Sequence, residues 1–146
     1  MILTIDQQIE AMRAVWPTFK LVRREDRAAI WRGTVRPLLQ TYVVETLYRA
    51  PLALEHVPIR RLQPQVEILH PQLRPRFGDP EGVLPHVYYG PDGGVSLCLL
   101  DPDAKEWSAS DLLAETTVPW TIDWLAAYEG WRATGKWTAP GRHVEA

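Results

Sequence analysis

The first hydrophobic residues of the chain recur at helical spacing. An apolar side chain every three to four positions forms one face of a helix, so a helix packed on the core is predicted from Ile5, Ile9, Met12 and Trp16. Residues 4–7, Thr-Ile-Asp-Gln, have the form of a capping box at its start. Pro17 should end the helix, because proline disfavours helical backbone in the residue before it.

Four extended segments follow, with no helical pattern between them. They cover residues 19–23, 29–35, 42–48 and 64–71. Alternate residues of the third segment share one face, which is formed by Tyr42, Val44, Thr46 and Tyr48. Strands that follow one another without intervening helices predict an antiparallel meander.

Prolines and glycines dominate the next part of the chain. Ten of the 24 residues from 71 to 94 are proline or glycine, which predicts a long irregular segment of the kind that is functional or disordered. Within it, residues 90–94, Gly-Pro-Asp-Gly-Gly, predict a tight turn between two extended runs.

Helical patterns return after residue 107. Ser108 or Ser110 can cap a helix through residues 112–114. Pro119 suits the first turn of a last helix, and Gly135 suits its end. The aromatic and apolar residues at helical spacing in this last helix are Trp120, Trp124, Ala127, Tyr128 and Trp131. We expect its three tryptophans to fill the core or the junction between helix and sheet. The element order predicts an α+β domain over residues 1–146, with helices flanking one sheet.

Composition places the chain among ordinary globular proteins. It has 146 residues, of which 46% are hydrophobic and 23% charged, enough for one domain with a full core. The net charge of −2 offers no basic surplus for nucleic acid. Neither a signal peptide nor a membrane-spanning run is visible, so we expect a cytoplasmic protein that binds neither nucleic acid nor membranes.

Several common catalytic motifs are missing from the sequence. There is no Gly-x-Ser-x-Gly elbow, and the turn at 90–94 lacks the lysine and hydroxyl of a phosphate-binding loop. The four histidines form no pair at metal-binding spacing, and one cysteine excludes zinc sites built on paired cysteines. We therefore expect no metal. Carboxylate pairs such as Asp101 and Asp103 are, by spacing alone, typical of solvated turns.

Cys98 is the sharpest candidate for chemistry. Free cysteine is commonly a buried apolar residue, and the flanking Leu97 and Leu99 favour that interpretation. The preceding long segment, however, is of the type that often carries sites. Alternation places Ser96, Cys98 and Leu100 on one side, so that the flanking leucines anchor the segment while the thiol faces out. Spacing alone leaves both interpretations open.

Together these features resemble the ubiquitin-conjugating enzyme superfamily, and more closely its bacterial branch from antiphage defence operons. The superfamily resemblance lies in residues 31–33 (Trp-Arg-Gly), 64–68 (Pro-Gln-Val-Glu-Ile), 94–99 (Gly-Val-Ser-Leu-Cys-Leu) and 107–108 (Trp-Ser). The resemblance to the bacterial branch lies in residues 85–88 (Pro-His-Val-Tyr), the tryptophan-rich stretch 115–137 and residues 141–143 (Gly-Arg-His). It implies a ubiquitin-conjugating-like fold with an N-terminal helix, a four-stranded meander, an active-site loop and C-terminal helices.

The function implied by this resemblance is acyl transfer through Cys98. The thiolate would accept the C-terminus of a donor protein as a thioester and pass it to a lysine amine of an acceptor protein. The donor would be a ubiquitin-like protein or a cGAS-like nucleotidyltransferase, which some relatives modify at its C-terminus. Loading would use ATP on a separate adenylating activating enzyme, so no cofactor is expected on this chain.

One departure from the superfamily affects the site. Eukaryotic members carry a His-Pro-Asn motif whose asparagine supports the loop or the oxyanion, and this chain has no asparagine. His86 is the nearest substitute, either as a donor to the oxyanion or as a brace of the loop. Asp101 and Asp103 are candidates for activating the acceptor lysine, and Tyr88 and His143 for lining the site.

Two other functions remain as alternatives. The chain could be a non-catalytic binding or scaffold module of the same fold, in which case a Cys98→Ser change would leave pathway function intact. An unrelated thiol enzyme, such as a peroxidase or a protease, would turn over a small molecule without a protein partner. The lack of an obvious Cys-His-Asn set disfavours that third function.

Overall fold

The computed structural model describes residues 1–52, 62–76, 83–100 and 106–138. Its elements, in chain order, are α1 (Ile5–Val15), β1 (Lys20–Arg24), β2 (Ala28–Val35), β3 (Tyr42–Arg49), β4 (Gln65–His70), β5 (Val87–Tyr89), β6 (Val95–Leu97) and α2 (Thr117–Thr134). The predicted α+β class and four-stranded antiparallel meander are confirmed, with the strand order β1-β2-β3-β4. Among these residues no helix is long and apolar enough to cross a membrane.

Helix α1 begins and ends where the sequence predicts. The Thr4 hydroxyl accepts a hydrogen bond from the Gln7 backbone N–H, and the Gln7 amide oxygen accepts one from the Thr4 N–H. The predicted apolar face is buried, with Trp16 only partly covered. One buried polar residue escaped prediction. Gln8 is fully buried and joins α1 to the distant backbone of Asp111 and Leu113 through its amide.

The inner face of the sheet forms the centre of the hydrophobic core. The four residues of β3 that were predicted to share one face are all buried, and the β2–β3 register runs unbroken from Ala28–Arg49 to Val35–Tyr42. Buried side chains of α1, the sheet, β6 and α2 form one contiguous cluster. Since the sheet presents one face to this cluster, alternation in the sequence was a reliable guide to burial.

The segment from 108 to 114 corrects one prediction, because it forms turns and no helix. The Asp111 carboxylate accepts a hydrogen bond from the Ser108 N–H, and the Gln8 side chain bonds the backbone of Asp111 and Leu113. Backbone groups that a helix would pair internally are thus bonded to side chains here. Within the described residues, the helical part of the C-terminal half is α2 alone.

Helix α2 has the predicted boundaries. Pro119 lies in its first turn, and Gly135 ends it in the left-handed conformation with φ 84°. Trp124 and Trp131 are buried as predicted, Ala127 and Tyr128 on the same helix are buried as well, and Trp120 is partly buried. The helix therefore supplies a mostly aromatic face to the core.

The segment from 71 to 94 is more regular than its composition predicts. Its described part contains β5, which pairs with β6 as an antiparallel hairpin. The predicted turn at 90–94 is confirmed: the Gly90 N–H donates to the Gly94 carbonyl, and the Asp92 carboxylate accepts from the Gly94 N–H. Gly93 has φ 83°, a conformation that glycine adopts without steric cost. The turn is what brings the two short strands together.

Tyr48 allows a test of the core through pH. Its ring is buried edge-on against Trp107, and its hydroxyl has no hydrogen-bond partner among the described residues. Burial raises the pKa of Tyr48 from 10.0 to about 12. Because this folded-state pKa exceeds the unfolded one, the associated stability is fully present below pH 10 and is lost as the pH rises toward 12.

A Tyr48→Phe protein should be at least as stable as the wild type at about pH 7, because the change removes an unpaired buried hydroxyl. At about pH 11 the variant should be the more stable of the two, since it has no phenol to ionise there. Urea unfolding at both pH values measures this, with Tyr89→Phe as an exposed control. A variant that loses more than about 1 kcal/mol at pH 7 would show that the Tyr48 hydroxyl makes a favourable hydrogen bond.

Candidate active site around Cys98

The β5–β6 hairpin positions Cys98. Tyr88 of β5 lies opposite Ser96 of β6, and Cys98 follows the end of β6 directly. The Cys98 N–H donates to the His86 carbonyl at 2.9 Å, which extends the pairing of the hairpin by one bond. The cysteine backbone is therefore held although the residue itself lies outside a strand.

Burial around Cys98 agrees with the predicted anchoring in part. Leu97 and Leu99 are buried, while Ser96 and Cys98 are intermediate in exposure. The prediction for Leu100 was wrong, because this residue is also buried. Strand β6 ends at Leu97, so strand alternation does not continue as far as Leu100. The thiol thus lies between a buried apolar anchor and solvent.

The sulfur of Cys98 has two polar neighbours. Its Sγ lies 3.3 Å from the Tyr88 hydroxyl oxygen and 3.4 Å from the Leu100 carbonyl oxygen. The neutral thiol can donate to either oxygen. Tyr88, which the sequence predicted as a lining residue, is therefore brought into direct contact with the candidate nucleophile.

His86 contributes to the site through its backbone. Its carbonyl accepts hydrogen bonds from the Cys98 N–H and, at 3.0 Å, from the Trp124 indole N–H. Its φ of 54° lies in the left-handed region, which is uncommon outside glycine. Its imidazole packs on Trp137 with the ring centroids 4.8 Å apart. These contacts place His86 as a brace between hairpin and helix, and its role toward an oxyanion stays a prediction.

Aromatic rings of α2 and of the segment that follows it pack together and contact His86, which precedes β5. Trp124 stacks on Tyr128 at 5.6 Å and meets Trp137 edge-on at 5.0 Å. The sequence predicted Trp124 in the core or at the helix-sheet junction, but it missed the hydrogen bond from Trp124 to His86. No local pattern signals that bond, because its partners are 38 residues apart.

A groove of about 460 Å³ runs beside the hairpin, along the beginning of β4. Tyr88 and Ser96 line it, and its charged lining residues, Glu67 and Asp92, are both acidic. Cys98 is not among the lining residues of this groove, but Tyr88, which lines it, also touches Cys98 Sγ.

A larger cleft of about 560 Å³ is lined by other residues, among them Tyr42, Arg74, Glu129 and Arg132. The Tyr42 hydroxyl donates to the Glu129 carboxylate at 3.3 Å. Burial, followed by the charge and hydrogen bond of Glu129, raises the pKa of Tyr42. This cleft shares no lining residue with the groove beside Tyr88.

Three predicted site residues, Asp101, Asp103 and His143, lie outside the described residues. Within the part of the chain that is described, no three His, Cys, Asp or Glu side chains are grouped as they would be around a metal ion.

Comparison with known proteins identifies the family. The family model for the Type II CBASS E2 protein matches residues 8–144, nearly the whole chain. No curated protein matches it. The match confirms the predicted resemblance to the bacterial antiphage branch, and the α+β order of the elements agrees with the ubiquitin-conjugating-like fold. The chain belongs to the Type II CBASS E2 protein family, and its role is that of an E2-like protein in CBASS antiphage defence.

Proposed function

We propose that the chain is a conjugating transferase that carries the C-terminal acyl group of a donor protein on Cys98 and transfers it to a lysine. The observation that carries this proposal is the placement of the one cysteine of the chain. It lies in the family-matched region, partly exposed, at the end of a hairpin whose backbone holds it. A carrier thiol needs this combination of access and fixed position.

The chemistry consists of two acyl substitutions. In the first, Cys98 thiolate attacks the donor's acyl-adenylate carbonyl, the carbon–sulfur bond forms, and AMP leaves with its oxygen. In the second, a neutral lysine amine attacks the thioester carbonyl, a carbon–nitrogen bond forms, and the thiolate leaves with the bonding electron pair. The surplus proton of the amine passes to a base or to water. The chain itself needs no cofactor for either step.

The proposal requires three protein partners. A separate activating enzyme consumes ATP and adenylates the donor, which is a cGAS-like nucleotidyltransferase or a ubiquitin-like protein. The acceptor supplies a lysine, and we place its approach in the groove beside Tyr88, because Glu67 and Asp92 give that groove a negative lining. Asp101 and Asp103 remain candidates for activating the amine. A cytoplasmic setting suits the proposal, since reducing conditions there keep a lone thiol free.

A loading assay tests the proposal. The purified chain is mixed with ATP, an adenylating activating enzyme and, in separate reactions, a cGAS-like nucleotidyltransferase or a ubiquitin-like protein as the donor. We expect an adduct of chain plus donor on a non-reducing gel, and we expect dithiothreitol to cleave it. If the activating enzyme adenylates a donor but no thiol-sensitive adduct forms, the proposal is wrong.

A further inference from the structure

Tyr88 and Cys98 share a hydrogen bond whose donor depends on whether the sulfur is protonated. While the sulfur is protonated, the thiol donates to the Tyr88 hydroxyl oxygen at 3.3 Å. Once the sulfur is a thiolate it can only accept, and the Tyr88 O–H can rotate to donate to it. The other neighbour, the Leu100 carbonyl, is an acceptor in every state and cannot stabilise the anion.

We propose that Tyr88 is a catalytic residue of this site, whose hydroxyl donates a hydrogen bond to the Cys98 thiolate and to the oxyanion of the acyl-transfer intermediate. This inference rests on the proposed thioester chemistry and identifies the group that serves it where asparagine is missing from the sequence. Among the described residues, Tyr88 is the one whose side-chain polar atom lies within hydrogen-bond distance of Cys98 Sγ.

The geometry suits the oxyanion because of where that oxygen forms. It is bonded to the carbon that Sγ attacks, so it lies two bonds from the sulfur. A donor within hydrogen-bond distance of Sγ is therefore also near the oxyanion. The hydroxyl donates throughout and transfers no proton, so the atom balance of both acyl substitutions is unchanged.

The hairpin holds Tyr88 in this position before any substrate binds. Tyr88 pairs with Ser96 across β5 and β6, the Gly90–Gly94 bond closes the turn, and the His86–Cys98 bond closes the open end. A donor fixed in advance costs no reorganisation during the reaction. The backbone carbonyl of His86 holds the Cys98 backbone, and the side-chain hydroxyl of Tyr88 contacts the Cys98 sulfur.

The first test uses the single cysteine as its own probe. Alkylation by iodoacetamide reports Cys98 alone, and its rate rises with pH as the thiolate forms. In a Tyr88→Phe protein the midpoint of this rise should move to higher pH, because the thiolate loses a hydrogen-bond donor. The matched control is Tyr89→Phe, an exposed neighbour on the same strand, which should keep the wild-type midpoint.

Thermal unfolding of both variants verifies that the hairpin remains folded during the measurement. A cooperative transition close to that of the wild type, together with a shifted midpoint in Tyr88→Phe alone, supports the inference. Equal midpoints in all three folded proteins overturn it, whether or not the chain carries thioesters.

The second test follows the loaded protein. In single-turnover discharge of the Cys98 thioester to free lysine, Tyr88→Phe should be slower by on the order of 100-fold, as expected for loss of one oxyanion donor. Wild-type loading with an unchanged discharge rate in the variant overturns the role of Tyr88 and leaves the proposed function standing. Failure of the wild type to load overturns the proposed function, and the alkylation profile then still decides the thiolate contact.

Discussion

A Cys98→Ala protein should form no covalent adduct with the donor, and a Cys98→Ser protein should form an adduct that dithiothreitol does not cleave. Alanine removes the nucleophile, and deleting a nucleophile costs on the order of a million-fold in rate. Serine keeps an attacking oxygen of much weaker nucleophilicity, so we expect slow loading and an ester in place of the thioester. Non-reducing gels and the intact mass of each adduct measure both outcomes.

The fold should survive these substitutions, because Cys98 is only partly buried and its thiol has one hydrogen to donate, to Tyr88 or to Leu100. Thermal unfolding of each variant is the control. A Ser110→Ala protein loses a hydroxyl that lies outside the hairpin, and it should accept the donor like the wild type. Covalent acceptance of the donor by the alanine variant would contradict the role of Cys98.

The same variants separate the two rival functions. A non-catalytic scaffold predicts full antiphage defence from cells that carry Cys98→Ser. An unrelated thiol enzyme predicts turnover of a small molecule by the isolated chain, with no adduct to any protein. The proposed transferase predicts loss of defence and a dependence on the activating enzyme.

A Trp124→Ala protein should lose about 4 kcal/mol of unfolding free energy, the largest stability effect that we expect. Trp124 is buried, stacks on Tyr128, meets Trp137 edge-on and donates to the His86 carbonyl. Truncation to alanine removes all of these contacts and leaves a cavity behind the hairpin. Urea unfolding followed by circular dichroism measures the loss.

Two further variants of α2 separate the contributions to this loss of unfolding free energy. Trp124→Phe keeps a ring but loses the indole N–H, so we expect a loss of about 2 kcal/mol from one hydrogen bond and some packing. Trp120→Ala removes a partly buried tryptophan of the same helix and should cost less than half as much as Trp124→Ala. Equal losses at positions 120 and 124 would refute the bracing role of Trp124.

Local patterns predicted much of the fold. The capping box of α1, the inward face of β3, the turn at 90–94 and the end of α2 at Gly135 depend on residues within a few positions of one another. Backbone preferences and the alternation of side chains operate over that range. The order of short motifs around Cys98 then predicted the family, which the family match over residues 8–144 confirms.

Local patterns failed where distant residues compete for the backbone. Residues 108–114 have a capping serine and apolar spacing, yet Gln8 of α1 binds Asp111 and Leu113 across more than 100 positions. β5 lies in a segment whose composition predicts irregular structure, and its pairing with β6 makes it a strand. Tertiary contacts outweigh weak local preference in both cases.

By itself, the sequence determined the α+β meander, its buried faces and the candidacy of Cys98, because spacing and alternation record which side of an element is apolar. Only the tertiary structure decided which groups surround that cysteine. It places the Tyr88 hydroxyl within hydrogen-bond distance of the Cys98 sulfur. It also makes the His86 carbonyl the shared acceptor of the Cys98 N–H and the Trp124 indole N–H. Such contacts depend on how a hairpin packs on a helix, and packing brings together residues that no local pattern relates.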